Sequence, residues 1–201
     1  AAISAGTNVA KRGPKHPFKW ESLGPSTLNV DRLGTQTYQR GTQWSGRVTA
    51  LAVDPSCNAK KCTLYLAAAG GGVWRSKDAL GNNPTWRFIS GDIPTNAIGS
   101  ITVDPTDPSG NTIYVGTGES NGSGDSEAGL GLYRSTDGGD SWSLVPGSLA
   151  AAGNRSIGGV AIDPFNANHI LIATRSGTRG VASNGGAVTA PGPAPGVYQS
   201  T

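Results

Sequence analysis

The sequence has no methionine, two cysteines, two histidines and few aromatics, and only 14% of its 201 residues are charged. No run approaches the ~20 apolar residues of a membrane helix, which predicts a soluble chain without a membrane span. The first residues, Ala1 to Gly6, lack Met and the basic-then-apolar layout of a signal peptide. They fit the start of a mature, processed chain. The net charge is +3. That is too small for a nucleic-acid footprint, and part of it lies in the tail at Lys11, Arg12, Lys15 and Lys19. No nucleic-acid partner is expected. No P-loop, dinucleotide fingerprint or nucleophile elbow occurs. His16 and His169 are far apart in sequence and are expected to be structural.

What is abundant is glycine, with 31 residues, and proline, with 13. Together they stay below the roughly 25–30% that marks low complexity. The composition is turn-rich, weakly charged and folded. It argues against a disordered chain, a coiled coil or a helical bundle. Cys57 and Cys62 form no CxxC pair and have no nearby histidine, so a zinc site is not expected. They flank a short loop between two strands, which predicts a Cys57–Cys62 disulfide and an oxidising compartment.

Three segments repeat: Arg47-Val-Thr-Ala-Leu-Ala-Val-Asp-Pro55, Gly99-Ser-Ile-Thr-Val-Asp-Pro105 and Gly158-Gly-Val-Ala-Ile-Asp-Pro164. Each alternates like a strand and stops at Asp-Pro. A second strand follows each, at Thr63-Leu-Tyr-Leu-Ala-Ala, Thr112-Ile-Tyr-Val-Gly-Thr and His169-Ile-Leu-Ile-Ala-Thr. A third follows at Gly72-Val-Trp-Arg-Ser76, Gly131-Leu-Tyr-Arg-Ser135 and Gly196-Val-Tyr-Gln-Ser200. A fourth opens with Trp86 or Trp142. Four short antiparallel strands at a period of about 50 residues describe a β-propeller blade.

The predicted fold is therefore all-β, an incomplete N-terminal portion of a larger ring. Residues 1–17 form a tail and 18–201 the partial propeller. Blade one spans 44–91, blade two 97–147, and an incomplete blade three 155–201. Phe18-Lys-Trp-Glu-Ser-Leu-Gly-Pro25 resembles the fourth strands and is expected to close the ring as an outer strand. The remaining blades, from the same gene product or a second chain, are then required partners.

The turn Ser135-Thr-Asp-Gly-Gly-Asp-Ser-Trp142 has the form Ser-x-Asp-x-Gly-x-Ser/Thr-Trp. It resembles the Asp-box, or BNR repeat, of sialidases, xyloglucanase-type glycosidases and sortilin-type receptors. A degenerate copy holds Ser76, Asp78 and Trp86, and Ser200-Thr201 is similar to the start of a third. Physically the motif reads as structural. Ser135 and Asp137 bond turn amides, Gly139 supplies a positive φ, and Trp142 packs between sheets. The chain as a whole is most similar to secreted bacterial BNR proteins of the sortilin-like group, often labelled glycosyl hydrolases.

In an up-and-down blade the disulfide loop and the Asp-box turns share one face. The opposite face carries the long loops at 117–129 and 174–195, together with Trp44, Arg47 and Arg155. Loops on a rigid scaffold usually hold function, so Trp44, Arg47, Glu119, Asp125 and Arg155 are the candidate ligand residues. Glu119, Asp125 and Glu127 could hold calcium in a flexible loop, but the spacing is no EF-hand and a polar, solvated loop is the favoured reading. Residues 183–195 read as a lid or a linker.

The resemblance implies a catalytic Asp in xyloglucanase-type propellers just before Gly-Gly-x-aromatic. The matching run is Ala69-Gly-Gly-Gly-Val-Trp74, and alanine cannot transfer a proton. Sialidases use an arginine cluster, to which Arg47, Arg155, Arg175 and Arg179 could contribute, but the Phe/Tyr-Arg-Ile-Pro run is missing. The expected function is a secreted or cell-surface module, extracellular or periplasmic, binding glycan or protein. The alternatives are a glycoside hydrolase with its catalytic groups mostly elsewhere, or a structural part of an extracellular assembly.

Overall fold

The computed structural model describes residues 28–29, 43–44, 47–121, 126–179 and 188–200. The expected closing strand at 18–25 and Asp125 lie outside these residues. A short ribbon comes first, pairing β1 (Leu28–Asn29) with β2 (Gln43–Trp44).

Blade one is a four-stranded antiparallel sheet in sequence order: β3 (Val48–Val53), β4 (Leu64–Ala68), β5 (Gly72–Ser76) and β6 (Arg87–Phe88). Blade two repeats it with β7 (Ile98–Val103), β8 (Ile113–Thr117), β9 (Leu132–Ser135) and β10 (Ser143–Leu144). A five-residue helix, α1 (Ser148–Ala152), leads into blade three. There β11 (Arg155–Asp163) pairs with β12 (Asn166–Ser176). A side ribbon follows, β13 (Thr178–Arg179) with β14 (Val188–Thr189), and then β15 (Val197–Gln199) joins β12. The chain is nearly all-β and built as propeller blades, the third lacking a fourth strand among the described residues. Helix α1 is five residues long, too short to show a helical period in the sequence.

Period-two alternation gives each blade two faces. In blade two, Ile101, Ile113, Val115 and Tyr133 face back onto Tyr65, Ala67 and Val73 of blade one, forming one core. Tyr114 and Leu132 face forward onto Ile157, Ile170 and Ile172 of blade three, forming the other. The inner strands β3, β7 and β11 lie side by side. Each bears a register shift at the same place, between Val48 and Ala50, Ile98 and Ser100, and Ile157 and Gly159. This repeated bulge bends the inner strand near its start.

The Asp-Pro stops are Asx turns. The carboxylates of Asp54, Asp104 and Asp163 accept the amides of Ser56, Thr106 and Phe165, each at 2.8 Å. The Cys57–Cys62 disulfide is formed across the first of these loops.

The Ser135–Trp142 turn is tied internally. Ser135 Oγ donates to Asp137 Oδ1 at 2.7 Å and accepts the Gly139 amide at 2.8 Å. Asp137 also accepts the Ser141 amide at 2.9 Å and the Ser141 hydroxyl at 2.6 Å. The bonds from Ser141 and then Ser135 hold the Asp137 carboxyl far below the ordinary carboxylate range. Gly139 takes φ 91°, which favours glycine. In blade one, Asp78 accepts Ser76 Oγ at 3.0 Å and the Thr85 amide at 2.9 Å.

The turn also joins blades. Trp142 is buried and its Nε1 donates to the Ile89 carbonyl of blade one at 2.7 Å. Arg75 of blade one, 4% exposed, donates to the Gly138 carbonyl at 2.6 Å and to Asp140 at 3.1 Å.

Candidate functional site

The ends of the inner strands and the loops above them converge on one face. Arg47, just before β3, forms an ion pair with Glu119, just after β8. The two side chains differ sharply in exposure, 46% for Arg47 and 5% for Glu119. A buried carboxylate needs such a partner, and this one crosses from blade two to blade one.

The backbone around Glu119 is held from several sides. Its amide donates to the Glu127 carbonyl at 2.8 Å. The fully buried Ser156 hydroxyl reaches the Glu119 carbonyl at 2.7 Å and that of Glu127 at 3.1 Å. Gly118 adopts φ +88°, and a Cβ there would lie 2.6 Å from the Gly129 nitrogen. Only glycine fits this crossing of strand end and returning loop. Arg175 of β12 is exposed and donates to the Ser120 carbonyl at 3.0 Å. The Ala69 amide donates to the Arg47 carbonyl at 3.0 Å. Ala69, which stands where the resemblance implies an Asp, is therefore paired with the backbone of Arg47.

Arg155 is placed differently from a ligand-binding group. It is 6% exposed. Its Nε donates to the Pro193 carbonyl at 2.5 Å, Nη1 to Ala190 at 2.8 Å and Nη2 to Gly192 at 2.7 Å. The guanidinium fork is spent on carbonyls of the Ala-Pro-Gly-Pro stretch 190–193, whose side chains offer no acceptors. That segment is anchored at 190–193, while 183–187 of the expected lid or linker lie outside the described residues. The sequence signal for this clamp is weak, because an arginine meeting backbone carbonyls leaves no motif.

Of the calcium candidates, Glu119 is engaged by Arg47, Glu127 is exposed, and Asp125 lies outside the described residues. Among the described residues no three His, Cys, Asp or Glu side chains gather as a metal site. Trp44 lies in β2, and its side chain is outside the described residues, as is that of Arg179. The arrangement brings Arg47, Glu119 and Arg175 together with the loop 117–121, and sets Arg155 apart as a scaffold residue.

No protein-family model matches the sequence, and no curated protein matches it. Among solved structures the chain is similar to the crystal structure of an ancestral GH74 enzyme, with 28% identity and a TM-score of 0.48. That match covers 77% of this chain and 15% of the other, so this chain spans a small part of that protein's length.

Proposed function

We propose that this chain is part of a secreted or cell-surface propeller that binds a ligand, glycan or protein, through its loop-rich face. The observation that carries the reading is the Arg47–Glu119 pair, which bridges two blades at the inner-strand ends. Glu119 orients Arg47 while about half of the arginine stays accessible. Arg175 adds a second exposed guanidinium at the same loop. Planar arginine donors suit carboxylates and hydroxyls, the groups that acidic glycans present. The disulfide is compatible with an oxidising, extracellular setting.

The test is a calorimetric titration of the chain against a panel of acidic and neutral polysaccharides. Arg47→Ala combined with Arg175→Ala should weaken the best ligand at least about tenfold, or ~1.4 kcal/mol. Unchanged affinity in the double variant rejects this face. Binding by a protein and no polysaccharide would keep the face and change the ligand class.

Glycoside hydrolysis is the second reading, and its support is Glu119, a buried carboxylate on the same face. Reducing-sugar release that disappears in Glu119→Gln would favour it. With Ala69 in the position of the xyloglucanase-type base, that residue cannot transfer a proton.

A further inference from the structure

The three Asp-Pro turns differ at one position. Ser56, Thr106 and Phe165 each give their backbone amide to the aspartate two residues before, and all three are exposed. The first two carry hydroxyls, and that of Thr106 also bonds Asp104 at 2.7 Å. The third carries a phenyl ring that is 96% exposed, the most open large apolar side chain among the described residues. This exposure belongs to the position. Ser56 and Thr106 lie in blades that each have a following blade packed against them, and both remain open.

The turn holds the ring out into solvent. Asp163 pairs with Asn166 across Pro164 and Phe165, and Pro164 has a fixed φ. The Phe165 amide is bound at 2.8 Å, and the Asn168 amide donates to Asn166 Oδ1 at 3.1 Å. His169 Nδ1 lies 3.4 Å from the second Asp163 oxygen. The backbone under the ring is therefore ordered before any ligand arrives, which lowers the entropy cost of binding. Asn166 and Asn168 are exposed, and among the described residues their side-chain amide nitrogens donate to no protein acceptor. The run Pro164-Phe-Asn-Ala-Asn168 carries no charge.

We propose that the Phe165 turn is a surface contact for a neutral polysaccharide: the phenyl ring stacks on a sugar ring while Asn166 and Asn168 bond its hydroxyls. An aromatic face offers apolar area that matches the C–H face of a sugar, and free amides donate to and accept from hydroxyls. With no cation in the run, carboxylates and phosphates find no charged partner. A convex tip meets an extended polymer, whereas a small ligand needs a concave pocket. The β11–β12 connection corresponds to β3–β4, which carries the Cys57–Cys62 disulfide. Arg47 precedes β3 and lies at the other end of the inner strands. The contact is thus a second point of attachment, on the face away from the guanidinium site.

The test is affinity electrophoresis of the chain in gels holding hydroxyethyl cellulose or galactomannan, two neutral polymers, with polygalacturonate gels alongside. The chain is expected to be retarded by at least one neutral polymer. Phe165→Ala should weaken that retardation at least about fivefold in affinity. Its melting temperature and its migration without polymer should not change, because the ring packs against nothing in the fold. Phe165→Trp, with a larger face, should match or exceed the parent chain. Equal retardation of the parent and Phe165→Ala overturns the proposal, as does a tryptophan variant that binds no better than the alanine one. Retardation by polygalacturonate alone overturns this contact and leaves the guanidinium face standing.

Discussion

At the scale of single residues, the two blade contacts depend on one indole and one carboxylate. Trp142 is buried between blades with its Nε1 bonded to Ile89. Trp142→Ala should cost about 3–5 kcal/mol, the usual penalty for removing a buried aromatic. Urea unfolding with unchanged slope would measure it. Asp137 acts through charge. Its folded pKa lies below the ordinary 3.8, first through the Ser141 hydroxyl and then through Ser135. A depressed carboxylate adds stability above its unfolded pKa and loses it as pH falls through the folded value. Asp107, held low by Ser109 and Thr112, acts in the same direction. Stability should therefore decline below about pH 4, and Asp137→Asn should flatten that decline in acid titrations followed by circular dichroism. Tyr65 has the opposite sign. Burial pushes its hydroxyl up to about 12 despite Arg75. It contributes stability below pH 10 that is lost as the solution approaches pH 12, and its phenolate absorbance should appear well above the ordinary tyrosine range.

At the scale of elements, the segment 190–193 takes most of its side-chain bonds from one residue. Arg155 begins β11 and binds carbonyls of Ala190, Gly192 and Pro193. Arg155→Met keeps the aliphatic stem and removes the donors. Limited proteolysis is expected to cut within 188–196 several-fold faster in this variant. Equal cutting rates would deny Arg155 its anchoring role. The four-strand order and the Asp-Pro turns were legible from sequence, because each turn is closed by atoms a few residues apart. The bulges at Thr49, Gly99 and Gly158 were not, because they answer to contacts with the neighbouring inner strand. Gly99 shows this: a Cβ there would lie 2.4 Å from the Ile157 carbonyl of the next blade.

For the whole molecule, equivalent positions in successive blades differ in burial. Ile101 of blade two is 6% exposed against blade one, whereas Leu51, its counterpart in blade one, is 58% exposed. Ile101→Ala should cost about 2–5 kcal/mol, and Leu51→Ala should cost far less in this chain. Similar losses at both positions would mean that Leu51 is covered in solution. The Arg47–Glu119 pair belongs to this scale too, since its partners come from different blades, 72 residues apart in sequence.

The sequence by itself determined the strand repeat, the turns that end each strand, the tryptophans that open the fourth strands and the pairing of Cys57 with Cys62. These rest on period-two alternation and on hydrogen bonds or covalent links closed within a few residues. Only the tertiary structure decided that Arg47 meets Glu119, that the Ala69 amide bonds the Arg47 carbonyl, and that Arg155 is bonded to carbonyls of a loop. The physical reason is that a charged side chain takes its partner from whatever the packed blades bring within hydrogen-bond reach. Neither the spacing nor the type of residue along the chain encodes that distance.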